Sequence, residues 1–67
     1  MIKPGTLISL KPFLQVPGKE LDIYMVLDVE PDPGDIQYYS LRYKVLSPNA
    51  TIEYISYSAI FWYEAIA

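Results

Sequence analysis

The side chains able to do chemistry in this sequence are few in kind: eight carboxylates, five cations, seven tyrosines and several serines, with no histidine and no cysteine among the 67 residues. Nucleophilic catalysis sets a hydroxyl or thiol beside a general base, and the commonest base is missing. Nothing in the spacing puts a lysine beside a serine in its place. The cysteine count also excludes a disulfide framework and thiolate metal sites. Carboxylates are densest at Asp28, Glu30, Asp32 and Asp35, and alternating acids are a pattern that calcium loops use. An EF-hand loop begun at Asp28 needs glycine where Pro33 stands and a bidentate glutamate where Tyr39 stands. The four acids therefore read as a solvated turn that discourages edge-to-edge pairing of the flanking strands. No glycine-rich phosphate loop is present, and so short a chain has little room for the water-excluding cleft that paired carboxylates need. Asn49-Ala50-Thr51 matches a glycosylation acceptor but reads as a turn. The expectation is a protein that is not an enzyme and uses no metal, cofactor or small-molecule substrate.

Recognition is then left to the aromatic side chains. Tyrosine and tryptophan bury large area at low entropic cost and are enriched in contact hot spots. In the segment from Ile36 to Leu46, Tyr39, Leu41, Tyr43 and Val45 alternate with Tyr38, Ser40, Arg42 and Lys44, so the first set faces a core and the second faces outward. Tyr38, Tyr54, Tyr57, Trp62 and Tyr63 are too many rings for so small a core to hide together. With Arg42 and Lys44 they make the candidate partner-binding surface, suited to an acidic or aromatic protein partner or to a second copy of the chain. The alternative is that the rings only cover strand faces and barrel ends. Phe13-Leu14-Gln15-Val16 places apolar side chains in a long loop, which either folds back to seal one end of the barrel or binds a partner. A net charge of −3 argues against nucleic acid, whose binding draws mainly on Lys and Arg.

These residues have to be positioned by short elements. The six prolines and three glycines fall in clusters and cut the chain into segments, none of which is a clean long helix. Thr6 to Leu10, Ile23 to Glu30, Ile36 to Leu46 and Thr51 to Ser56 are rich in β-branched and aromatic residues and predict four strands. In the second, Met25, Leu27 and Val29 stand against Tyr24, Val26 and Asp28, with Val26 breaking the alternation. Ser47-Pro48-Asn49-Ala50 predicts a hairpin loop in which Asn49 takes a left-handed conformation. The tail predicts one 3₁₀ turn over Ser58 to Phe61 and a fifth strand from Trp62 to Ile66. The whole is an all-β, five-stranded SH3-like barrel forming one domain over residues 1–67. No apolar run follows Met1-Ile2-Lys3-Pro4-Gly5 and none is long enough for a membrane span, so an intracellular, soluble protein is expected.

Lys3-Pro4-Gly5-Thr6-Leu7-Ile8-Ser9-Leu10-Lys11, Met25-Val26-Leu27-Asp28-Val29-Glu30 with its acidic Pro/Gly turn, Tyr43-Lys44-Val45-Leu46-Ser47-Pro48-Asn49 and Ile52-Glu53-Tyr54-Ile55 resemble the small SH3-like β-barrel proteins of tailed bacteriophages. Thr6 stands where those proteins usually carry Asp, and Ser47 where Trp is common. The resemblance spans most of the chain and implies the barrel fold and a viral origin, with a place in the host cytoplasm or the virion. It implies no particular activity. Two other readings fit the same size and strand layout: a nucleic-acid-associated module stacking bases on exposed tyrosines, and an SH3-like subunit of a photosynthetic electron-transfer complex.

Overall fold

Two Pro-Gly turns set where the chain reverses. The Thr6 amide donates to the Lys3 carbonyl at 3.2 Å across Pro4-Gly5, with Gly5 at φ 89°. The Lys19 amide donates to the Val16 carbonyl at 3.2 Å across Pro17-Gly18, with Gly18 at φ 80°. Proline second and glycine third is the composition a type II turn requires, because only the third position needs a positive φ. The computed structural model describes residues 2–34 and 40–66, so the expectations for Asp35, Tyr38 and Tyr39 lie outside the described residues.

The elements are β1 (Leu7–Leu10), a 3₁₀ turn (Pro12–Leu14), β2 (Tyr24–Pro31), β3 (Leu41–Leu46), β4 (Ile52–Ser56), a second 3₁₀ turn (Ala59–Trp62) and β5 (Tyr63–Ala65). All neighbouring strands run antiparallel in one sheet of order β4-β3-β2-β1-β5. β2 sits at the centre, pairing with β1 through Tyr24 and Met25 and with β3 from Met25 to Pro31. The fold is the expected all-β SH3-like arrangement of five strands, with a 3₁₀ turn ahead of the last. Among the described residues, no helix is long and apolar enough to cross a membrane.

The break in alternation at Val26 has a physical cause. Val26 pairs with Val45, but the next pair is Asp28 with Lys44, so the register slips at Leu27. Leu27 is the extra residue of a β-bulge, which changes which face the following residues occupy. Val26 is fully buried before the bulge, and Val29 packs against the core after it. The expected grouping of Met25 and Leu27 with Val29 is corrected accordingly.

Among the described residues the buried core consists of Ile8 from β1, Val26 from β2, Tyr43 and Val45 from β3, Ile55 from β4 and Ile60 from the second 3₁₀ turn. Ile2, Tyr24, Val29, Ala59 and Tyr63 pack around it, partly covered. Each fully buried aliphatic or aromatic side chain contributes about 1.5 to 3 kcal/mol relative to exposure.

The β3–β4 hairpin also departs from expectation. The Ala50 amide donates to the Ser47 carbonyl at 2.9 Å, and the Ser47 amide donates to the Thr51 carbonyl at 2.9 Å. The Ser47 hydroxyl accepts from the Thr51 amide at 3.2 Å. The left-handed residue is Ala50, at φ 60°, and not Asn49. Pro48 suits the second position of a type I turn, which leaves Asn49 third with negative φ, and the residue after the turn swings left-handed to rejoin the ladder. A left-handed L-residue costs roughly 1 to 2 kcal/mol, and glycine gives back about 0.4 to 1 kcal/mol of that through the unfolded chain. Ala50→Gly is therefore expected to stabilise the fold by roughly 0.5 to 1 kcal/mol and Asn49→Gly to weaken it. Urea midpoints of the two variants at unchanged slope check this, and the opposite ranking would return the left-handed position to Asn49.

Candidate functional site

The predicted contact residues fall into separate groups. On the outer face of the sheet, Arg42 and Lys44 of β3 stand between β2 and β4. Glu30 is opposite Arg42 and Asp28 opposite Lys44 on one side, with Ser56 and Tyr54 opposite them on the other. Arg42 is held from both sides. Its Nη2 and Nε donate to Glu30 Oε1 at 2.8 and 2.9 Å, and its Cζ lies 3.7 Å from the centroid of the Tyr54 ring. A guanidinium over an aromatic face is attracted by the ring quadrupole, so Tyr54 is covered on the side that Arg42 occupies. The face carries acids on β2, cations on β3 and a ring and a hydroxyl on β4, with Glu30, Arg42 and Tyr54 engaged with one another across the rows.

The second group gathers at the second 3₁₀ turn. The turn has three residues per revolution, and it buries Ile60 while turning Phe61 outward at 63% exposure. Tyr57, at the end of β4, is anchored by its amide to the Leu41 carbonyl at 3.2 Å and lies nearly parallel to Tyr43, with centroids 6.4 Å apart and planes 13° apart. Phe61 meets Tyr57 edge-on, with centroids 6.0 Å apart and planes at 88°. Tyr43 is buried, so the three rings step from core to solvent. They border a cleft of about 250 Å³ lined also by Ile2, Lys11, Ile60 and Tyr63. Among the described residues, Lys11 is the one charged side chain of that lining. Trp62 follows directly, 53% exposed, with its carbonyl accepting from the Lys11 amide at 2.9 Å.

Tyr63 is placed differently from the expectation that it contributes to an outward surface. It is half-buried, packs against the core and meets Tyr24 edge-on, with centroids 5.8 Å apart and planes at 88°. Burial raises the Tyr63 hydroxyl above the ordinary 10.0, and the charges of Glu53 and Asp22 add to the effect. Tyr24 is raised likewise, by burial first, then by Tyr63, Glu53 and Asp22. Tyr38 lies outside the described residues. Phe61, Tyr43 and Tyr24 were absent from the predicted contact set. The signal for Phe61 was the 3₁₀ period itself, since one inward residue in a four-residue turn forces its neighbour out.

The long loop folds back in part and leaves two apolar side chains outside. Leu14 folds back beside Leu10, Leu21 and Tyr24 around a cleft of about 70 Å³, and Gln15 Nε2 donates to the Leu10 carbonyl at 2.9 Å. Phe13 and Val16 point away, 74% and 63% exposed. The acids of β2 and of the turn after it are engaged locally. Asp28 Oδ1 accepts from the Val29 amide at 2.8 Å, Asp32 Oδ1 accepts from the Gly34 amide at 2.9 Å, and Glu30 holds Arg42. Among the described residues, no three acids gather in a geometry that could hold a metal ion.

Comparison with family models, curated proteins and solved structures gives no significant match.

The Tyr24–Tyr63 pair makes stability depend on alkaline pH in a defined direction. Both hydroxyls keep their protons in the folded chain at a pH where the unfolded chain has begun to release them, near 10. In that window the unfolded state binds fewer protons, so unfolding becomes easier as pH rises. The contribution is complete below about pH 10 and is lost as pH climbs through the raised folded values. Urea midpoints measured upward from pH 9 are expected to fall, and to fall less steeply in Tyr63→Phe, which removes one hydroxyl and one cause of the Tyr24 shift. Parallel pH profiles for the two proteins would show that the pair does not titrate as described.

Proposed function

We propose that this chain is a non-enzymatic SH3-like domain that works by protein–protein contact, as an accessory or structural protein of a tailed bacteriophage in the host cytoplasm or the virion. The observation that carries the reading is the ring stack at the second 3₁₀ turn, where Tyr57 and Phe61 stand exposed over a buried Tyr43 beside Trp62. Among the described residues ten large apolar side chains are exposed and six are buried, so apolar surface is plentiful. The ring stack differs from scattered exposure because its members are already ordered against one another and against the core. A partner covering it gives up little side-chain entropy on this side, which is the property that makes aromatic clusters contact hot spots.

The viral assignment is supported by the resemblance of the strand and turn motifs. The protein-contact assignment is supported by the chemistry the surface lacks as well as by the rings. Arg42, the strongest candidate for a phosphate or a stacked base, is already committed to Glu30 and Tyr54. Lys44 stands opposite Asp28, and among the described residues that strand face carries no longer run of cations for a nucleic-acid backbone.

Phe61→Ser and Trp62→Ser alter exposed side chains and are expected to leave the β spectrum and urea midpoint close to those of the parent. Each is expected to weaken binding to proteins captured from phage-infected host cells by about thirtyfold, the equivalent of a hot-spot loss of about 2 kcal/mol. Tyr54→Ser on the other face is expected to leave that capture unchanged. An identical set of captured proteins at identical affinity for all three variants would remove the ring stack as the contact site.

A further inference from the structure

The open edge of β4 carries a hydrogen-bonding pattern that is complementary to itself. In the β3–β4 ladder, the Ser47 amide donates to the Thr51 carbonyl and the Tyr57 amide to the Leu41 carbonyl. The register runs without a slip from Leu46 opposite Ile52 to Arg42 opposite Ser56. Exchanged pairs recur at every second residue of an antiparallel ladder. Glu53 and Ile55 therefore direct their amides and carbonyls toward β3, while Ile52, Tyr54 and Ser56 direct theirs to the edge. β4 ends the sheet, and among the described residues these six backbone groups have no partner. Natural edges are commonly blunted by lysine, proline or a bulge. Ile52-Glu53-Tyr54-Ile55-Ser56 has none of these, and its only charge is Glu53.

We propose that β4 pairs antiparallel with β4 of a second copy, across a two-fold axis at Tyr54, to make one continuous sheet of ten strands. In this register Tyr54 faces Tyr54 of the second copy, Ile52 faces Ser56 and Ser56 faces Ile52. All three facing pairs join edge-directed residues, so every one of the six free groups on each copy finds a donor or acceptor. Shifting by one residue toward the start of the strand sets Glu53 opposite Glu53, where like charges destabilise a cross-strand pair. It also sets Ser56 opposite Ala50, outside the strand, so only Ile52 and Tyr54 pair through the edge. The chosen register instead sets Glu53 opposite Ile55. On the outer face the row across the interface becomes Asp28, Lys44, Tyr54, Tyr54, Lys44, Asp28, with each copy's Arg42 over its own ring. Charges along that row are separated by the two rings and balanced within each copy. This surface is distinct from the ring stack, and the proposal stands or falls independently of it.

The chain has no cysteine, so a single introduced one reports the register directly. Directly facing residues in an exchanged pair have Cα atoms about 5.5 Å apart, within disulfide reach, whereas residues offset by two are about 7 to 8 Å apart. Under mild oxidation Tyr54→Cys is expected to crosslink to a dimer at least about tenfold faster than Glu53→Cys or Ile55→Cys. Tyr54→Pro removes an edge-directed amide and no bond to β3, and is expected to raise the dissociation constant at least about tenfold in sedimentation equilibrium. Equal crosslinking rates at the three positions would overturn the register. Parent protein that sediments as a monomer up to millimolar concentration would overturn the pairing altogether, whether or not the proline variant folds.

Discussion

A small buried core, six side chains among the described residues, is the constraint from which the rest of this molecule follows. Ile8, Val26, Tyr43, Val45, Ile55 and Ile60 fill the space that five short strands and one 3₁₀ turn can enclose, within a radius of gyration of 12.3 Å. A domain of this size covers only about 60% of the surface its unfolded chain exposes. Half the sequence is apolar, so the core is full long before the apolar residues run out. The surplus emerges at the ring stack, at the tip of the long loop with Phe13 and Val16, at the β4 edge with Ile52 and Tyr54, and at Leu7, Leu21 and Ile23. Tyr43 links inside to outside, since it is a core residue whose ring stacks on an exposed one.

Charge is distributed on the opposite principle. The ladder β2-β3-β4 concentrates acids and cations on its outer face, where Glu30, Arg42 and Tyr54 satisfy one another. Among the described residues, the cleft beside the ring stack has Lys11 alone. Contact there would draw on desolvation and shape, with weak dependence on ionic strength. The two faces thus differ in the kind of energy they offer.

The strands and turns were legible in the sequence because proline, glycine and alternation act locally. Pro4-Gly5 and Pro17-Gly18 fix turns by their own torsional preferences, and Tyr43 and Val45 face inward because side chains alternate along a strand. The bulge at Leu27 was not legible, because it is a property of the pairing between β2 and β3. Its only local trace was a valine on the wrong face. Ala50 escaped for a related reason: asparagine tolerates the left-handed region better, but the position of Pro48 decided which residue had to enter it. The exposure of Tyr54, Tyr57 and Trp62 followed from the limited core, whereas their division among separate surfaces depended on how the sheet curls and on how the 3₁₀ turn is phased. Tyr63 was assigned outward because nothing in its neighbourhood announced the edge-on packing on Tyr24.

The bulge has a consequence for how this sequence can vary. β2 begins against β1 and continues against β3, and Leu27 is where its inward phase is reset. Loss of Leu27 alone would remove the extra residue and give a plain ladder in which Val26, Asp28 and Val29 keep their present partners and faces. What would go is the added twist and bend that the bulge gives β2 where it passes from β1 to β3. The loop between Lys11 and Ile23, by contrast, gives no residue to the buried core, and beyond the fold-back at Leu14 and Gln15 it can lengthen or shorten without altering any inward position. In β2 the count of residues therefore sets the bend of the strand, while the faces of its two valines survive the loss of the bulge. In the long loop the count sets reach alone.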